Sequence, residues 1–293
     1  MSVRINKITR GRFGNKVLQY NNLVQLANLL ETEPSCVKWE GNKYFKNIVS
    51  HKPSIKKSKI LYWNEILDND IEKLKEMMKD NDLSLDDPSY ALHNTFYKLT
   101  QKDPRDFLEL KDEYIPKLDD NFVHVGIHIR GGDILGLDNS DGREIHPPSY
   151  YKKSIDHLLE EEEKYYFHVC TDDISFDSYK ETISYLKSKN CKYDKGPNTG
   201  SKNYINDFSL LCYCDILVNS SSTFCLSAVF LGKRDKKIIH YKGWLDRIVN
   251  ADFSDKEYNR YVRVWRKKMT NEEWVKSRRQ RKFWIDLKNI IIL

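Results

Sequence analysis

Phe122-Val123-His124-Val125-Gly126-Ile127-His128-Ile129-Arg130-Gly131-Gly132-Asp133 is the stretch from which the rest of the chain can be read. Phe122 to Ile129 is rich in valine and isoleucine, the composition of a strand. Side chains alternate across a strand, so His128 and Arg130 fall on one face where the strand ends and a loop begins. Working outward, a helix is expected from Pro148 to about Glu163, with Tyr151, Ile155, Leu158 and Leu159 on one face. Then come strand Tyr165–Cys170, helix Tyr179–Ser188, helix Ile205–Cys212, strand Asp215–Asn219, helix Thr223–Gly232 and strand Lys237–Tyr241. Strands alternating with helices imply a parallel sheet covered on both faces, with ligands at the carboxyl ends of the strands.

The first half is less regular. Val3-Arg4-Ile5 suits a strand, and the loop Arg10-Gly11-Arg12-Phe13-Gly14 leads into a helix from Asn15 to about Leu30, with Val17, Tyr20, Val24 and Ala27 at helical spacing. Residues 31–55 are polar and irregular. Lys59 to Trp63 suggests a strand and Ile71 to Met78 a helix. The capping box Thr270-Asn271-Glu272-Glu273 opens a helix in a tail that carries Trp265, Trp274 and Trp284. The expected domains are 1–120, 121–248 and a helical tail, 249–293, returning to the first.

The chain has 293 residues, enough for two domains, and its 40% hydrophobic and 31% charged residues are globular composition. The N-terminus lacks the apolar run of a signal peptide, and the run Ile290 to Leu293 is far short of a membrane span. A cytoplasmic or otherwise soluble protein is expected. The six cysteines are scattered without a CxxC pair, which suggests reduced, mostly buried thiols rather than a zinc site. The net charge is +6, yet the eleven Lys/Arg and four Asp/Glu between Asp255 and Lys282 alone sum to +7. A tail of that kind is a solvated face or one serving an anionic partner, and a protein binding nucleic acid or an anionic surface through it is the competing class.

Three segments carry chemistry. In Gly11-Arg12-Phe13-Gly14-Asn15 the glycines let backbone N–H groups approach a phosphate at a helix start. In His128 to Asp133 the Arg130 guanidinium can bind a diphosphate in bidentate fashion, or else pair with a structural carboxylate such as Asp133. Ser220, Ser221, Ser222 and Thr223 supply hydroxyls and N–H groups at a helix N-terminus, where plain capping requires one of the four. Asp172 ends a strand where a carboxylate would face the crevice, which makes it a donor-binding candidate, and Asp207 opens its helix. Asp68-Asn69-Asp70 and Asp80-Asn81-Asp82 have the D-x-D spacing of metal-dependent transferases, though both look like helix-end loops.

Taken together these segments resemble the superfamily of α1,2-fucosyltransferases with its protein-O-fucosylating and core-fucosylating relatives, whose members read G-x-x-G-N, H-x-R-R-G-D and a serine-rich strand-to-helix turn. His146-Pro147-Pro148-Ser149-Tyr150-Tyr151 matches the family's entry to the next helix. The resemblance implies a GT-B-like α/β fold of two Rossmann-like domains facing a central cleft, with C-terminal helices packing back on the first. It implies an inverting glycosyltransferase that needs no metal or other cofactor and takes a nucleotide sugar and a glycan acceptor, with no nucleic acid. By the same resemblance Arg130 binds the β-phosphate and stabilises the departing nucleotide. His128 and Asp207 contact the base or ribose, Ser222 and Thr223, beside Ser221, hold phosphate oxygens, and Gly11, Gly14 and Asn15 line the cleft. An acceptor hydroxyl needs a carboxylate base, for which Asp133, Asp138, Asp141 and Glu144 are candidates. The chain departs from the pattern at Gly131, where the family has a second arginine, and at Phe224-Cys225-Leu226, where α1,2-fucosyltransferases usually place paired tryptophans. GDP-fucose is therefore the default donor, and another nucleotide sugar such as UDP-xylose stays open.

Overall fold

The computed structural model describes residues 2–8, 12–52, 57–61, 71–85, 102–131, 146–197, 199, 203–220, 222–240 and 290–292. The chain divides into two compact units, Met1–Glu109 with Arg260–Lys282 and Leu110–Asn259 with Phe283–Leu293. Residues 110–120, assigned from sequence to the first domain, thus fall with the second unit.

In the first unit, strands β1 (Ser2–Ile5), β2 (Glu33–Cys36), β3 (Lys57–Ile60) and β4 (Asn81–Ser84) form a parallel sheet in the order β2-β1-β4-β3. Helix α1 (Phe13–Leu29) buries even its polar Asn21, Asn22 and Gln25. Gln25 makes this tolerable by pairing like a peptide group: its amide donates to the Lys102 carbonyl (2.7 Å) and accepts from the Lys102 N–H (3.1 Å). Phe13, at the start of α1, stacks on Trp39 and Phe45. Helix α2 (Gly41–Tyr44) follows, and α3 (Ile71–Met78) matches its expected bounds. Strands β2 and β4 lie where no strand was expected. β4 overlaps the second D-x-D, whose Asp82 accepts from the Ser2 N–H (2.8 Å) and pairs with buried Arg4 (3.5 Å). Asp82 is therefore a tie between β1 and β4.

The second unit holds β5 (Val123–Ile129), α4 (Pro148–Leu159), β6 (Tyr165–Thr171), α5 (Asp177–Ser188), β7 (Lys192–Lys195), α6 (Ile205–Tyr213), β8 (Ile216–Val218), α7 (Thr223–Leu231), β9 (Lys237–His240) and β10 (Ile290–Ile292). All its strand pairs are parallel, in the order β10-β9-β8-β5-β6-β7. Counted from β5, that is the doubly wound order 3-2-1-4-5-6, which reverses direction between β5 and β8. Val125, Ile127 and Ile129 point to one face, where Tyr151, Ile155 and Leu158 of α4 and Tyr179 and Leu186 of α5 cover them. On the other face Gly126 leaves room for α6: a Cβ there would lie 2.9 Å from the Leu211 side chain. That face also carries a polar chain across three strands, from the Asp119 carbonyl to His124 (2.9 Å), His168 (2.8 Å) and Asp194 (2.8 Å). Buried Lys236 donates to the Leu211 and Cys212 carbonyls and so satisfies the C-terminal end of α6, while burial lowers its pKa.

Residues 290–292 correct the expectation of an all-helical tail, since they add an edge strand to the second sheet. The proposed tail helices, the three tail tryptophans, the basic segment and Asp68-Asn69-Asp70 lie outside the described residues. All six cysteines are free, five of them buried, as the scattered spacing implied. Among the described residues no helix is long and apolar enough to cross a membrane.

Candidate functional site

In a doubly wound sheet the two strands at the reversal send their following loops to opposite sides, which opens a crevice at their carboxyl ends. Here the reversal lies between β5 and β8, whose ends carry His128 and Ser220. A short hydrogen bond joins His128 Nδ1 to Ser220 Oγ across it, with both residues buried. The His128 ring stacks on Phe224 at the start of α7 (5.3 Å between centroids). Burial, then the adjacent Arg130 charge, pushes the His128 pKa down to about 3, against a smaller opposing pull from Asp172. His128 is therefore a neutral imidazole, with one ring nitrogen to donate and one to accept.

Arg130 follows the last residue of β5, and its Nη1 lies 3.3 Å from Asp172 Oδ2. Asp172 Oδ1 accepts the Gly131 N–H at 2.9 Å. Parallel pairing of Ile129 with Thr171 sets these next residues side by side. Gly131 itself abuts Phe176, to whose ring a Cβ would come within 3.2 Å. A side chain at the position of the family's second arginine would have to displace that ring by a few tenths of an ångström.

Behind β6, Asp207 is buried in the first turn of α6. The Thr199 hydroxyl lies 3.1 Å from both Asp207 Oδ2 and the Val169 carbonyl, and accepts the Thr171 N–H at 3.3 Å. Gly196 permits this approach. A Cβ there would lie 2.5 Å from Cys170 Sγ and 2.8 Å from both Asp207 Oδ1 and Thr199 Oγ1. Gly196→Ala is accordingly expected to cost about 1–3 kcal/mol by overpacking, measured by urea denaturation. Adding Cys170→Gly, which removes the nearest atom, should recover part of the loss; an alanine variant as stable as the parent would contradict the close approach.

Ser222 caps α7, its Oγ accepting the Cys225 N–H at 3.2 Å. The capping role thus falls to Ser222, and Thr223 opens the helix half-buried. Ser220, one of the run noted in sequence, has a specific partner in His128 that strand adjacency alone reveals. Tyr150 holds the floor of the crevice, its hydroxyl 2.9 Å from the Asn219 and Ile239 carbonyls at the ends of β8 and β9. Beside it His146 is buried, which lowers its pKa to about 4.

The second unit therefore gathers His128, Arg130, Asp172, Asp207, Ser222 and Thr223 at the carboxyl edge of one sheet. Gly14 and Asn15 sit in the first turn of α1 in the first unit. Gly11, Asp133, Asp138, Asp141, Glu144 and Ser221 lie outside the described residues. The arrangement offers a guanidinium, a neutral imidazole and the N-terminus of α7 around one crevice, a combination that suits a phosphorylated ligand.

Residues 3–267 match the family model described as glycosyl transferase family 11. Among solved structures, POFUT1 in complex with GDP-fucose is similar with a TM-score of 0.53 and 12% identity, covering 80% of this chain and 96% of that one. An arginine-to-lysine mutant of Arabidopsis thaliana FUT1 in complex with GDP matches with a TM-score of 0.48 and 13% identity, over 79% of this chain and 68% of that one. No curated protein matches the sequence significantly. At such identity the likeness to POFUT1 is one of fold, an α/β fold of the GT-B kind with two parallel sheets.

Proposed function

The chain belongs to glycosyl transferase family 11, and on that premise we propose that it moves a sugar from a nucleoside diphosphate, by default fucose from GDP-fucose, to a glycan hydroxyl with inversion and without a metal. The observation that carries the proposal is Arg130 at the reversal of the second sheet, beside neutral His128 and the N-terminus of α7. The acceptor oxygen bonds to the anomeric carbon as the bond from that carbon to the β-phosphate oxygen breaks. Charge then builds on the diphosphate, where the guanidinium and the helix N-terminus stabilise it more in the transition state than before. The acceptor proton passes to a carboxylate, for which Asp133, Asp138, Asp141 and Glu144 are the candidates. His128, uncharged, orients the base or ribose with Asp207.

Thermal stabilisation tests this. In EDTA, GDP with GDP-fucose, or UDP with UDP-xylose, is expected to raise Tm, since a ligand at about 100 times its Kd adds about 2.7 kcal/mol. A response to the guanine pair alone supports the default donor; one to the uracil pair alone supports the pentose alternative. No response to any of the four in EDTA would sink the metal-free diphosphate site.

A further inference from the structure

We propose that Asp172 is a positioning residue for Arg130 and not a ligand of the donor: its carboxylate fixes the guanidinium and the Gly131 backbone in the orientation that meets the diphosphate. This inference rests on the diphosphate site proposed above.

Both carboxylate oxygens of Asp172 already have protein partners. Oδ1 accepts the Gly131 N–H at 2.9 Å, and Oδ2 lies 3.3 Å from Arg130 Nη1. The side chains of Arg130 and Asp172 keep 16% and 24% of their accessibility, so the pair is largely withdrawn from water and holds its geometry better than a surface pair does. Electrostatics favours the same assignment. A carboxylate turned directly to a diphosphate would repel it, whereas one reaching the ligand only through a guanidinium orients the cation.

Two neighbours sharpen the case. Asp173, the next carboxylate, accepts the Ser175 N–H (2.8 Å) and hydroxyl (2.6 Å), so it builds the local turn and leaves the arginine to Asp172. Arg130 is also the only arginine between His128 and Asp133, because the family's second cation is Gly131 here. With Gly131 in place of the segment's second guanidinium, transition-state binding depends more on how well Arg130 is held. The missing side chain at residue 131 leaves its backbone against Phe176.

The test is a double-mutant cycle with two readouts, donor turnover and GDP or UDP affinity by calorimetry. Asp172→Asn keeps an oxygen for the Gly131 N–H and removes the charge, so the fold is retained. Asp173→Asn, outside the machinery, serves as the control. Misplacing the guanidinium is expected to lower kcat on the order of 10–100-fold. The Kd for the nucleoside diphosphate should stay within about threefold or tighten, because a nearby anion is gone. In an Arg130→Ala background Asp172→Asn should have no further effect on turnover, since its route of action is already absent. Affinity weakened tenfold or more in both backgrounds would make Asp172 a direct ligand and overturn the inference. So would losses in turnover that simply add. Wild-type protein that binds neither nucleotide would overturn the underlying site, a failure visible before any variant is made.

Discussion

Arg130→Ala is expected to lower turnover by about 10²–10³-fold, the effect of removing one preorganised group that meets charge developing in the transition state. The protein should remain folded. Arg130 lies past the end of β5, and the core of that strand is made by Val125, Ile127 and Ile129. Asp172 keeps its bond to the Gly131 N–H when the guanidinium is gone, so the carboxylate is not left without a partner. Arg130→Lys should recover only part of the rate, because an ammonium restores the charge without the planar fork that grips two phosphate oxygens. Release of nucleoside diphosphate from the donor reads the rate, and circular dichroism with Tm reads the fold. An alanine variant within threefold of the parent would remove Arg130 from the chemistry. A rise in KM at constant kcat would make it a binder of ground state and transition state alike.

How much of this was legible depended on what each residue answers to. Strand β5 and helices α4, α5, α6 and α7 bury continuous apolar faces, so their own side chains declare them. Strand β2 reads Glu33-Pro34-Ser35-Cys36 and β7 reads Lys192-Tyr193-Asp194-Lys195. Neither alternates clearly, and each is an edge strand held by backbone bonds to one neighbour, a tertiary property that local sequence does not carry. β4 was missed for another reason: Asp80-Asn81-Asp82 follows a helix and reads as a helix-end loop, while the Arg4 that pairs with Asp82 is distant in sequence. The site divides the same way. His128 and Arg130 could be placed because a strand end was evident, and alternation put them on one face. The carboxylate partner of Arg130 could not, since a nearby candidate, Asp133, was in view, while Asp172 arrives only through the pairing of β5 with β6. Ser220 likewise acquires meaning from the adjacency of β5 and β8, which sequence order conceals because two strands and three helices of the described residues intervene.

Mild acid is expected to destabilise the protein before its carboxylates titrate, through His128 and His146. Burial holds the folded pKa of His128 at about 3, with help from the Arg130 charge, and that of His146 at about 4, both below the ordinary histidine value of 6.5. A lowered folded pKa means that the unfolded chain takes up the protons first. The stability these neutral rings contribute is complete above pH 6.5 and drains away as pH falls toward the folded values. At about pH 5 each ring would have lost about 2 kcal/mol, so the pair would lose about 4 kcal/mol of a total that is typically about 5–15 kcal/mol. Carboxylates such as Asp156 and Glu161, whose pKa values are lowered by hydrogen bonds from Lys189 and Tyr165 respectively, act in a more acidic window. Thermal melts between pH 7.5 and 5 should therefore show Tm falling by roughly 10 °C while the carboxylates are still ionised. His128→Gln should flatten the fall by about half, because glutamine can still bond to Ser220 and takes up no proton. A Tm constant across that range would mean that the two rings are not buried uncharged, and the neutral imidazole assigned to the crevice beside Arg130 would have to be given up.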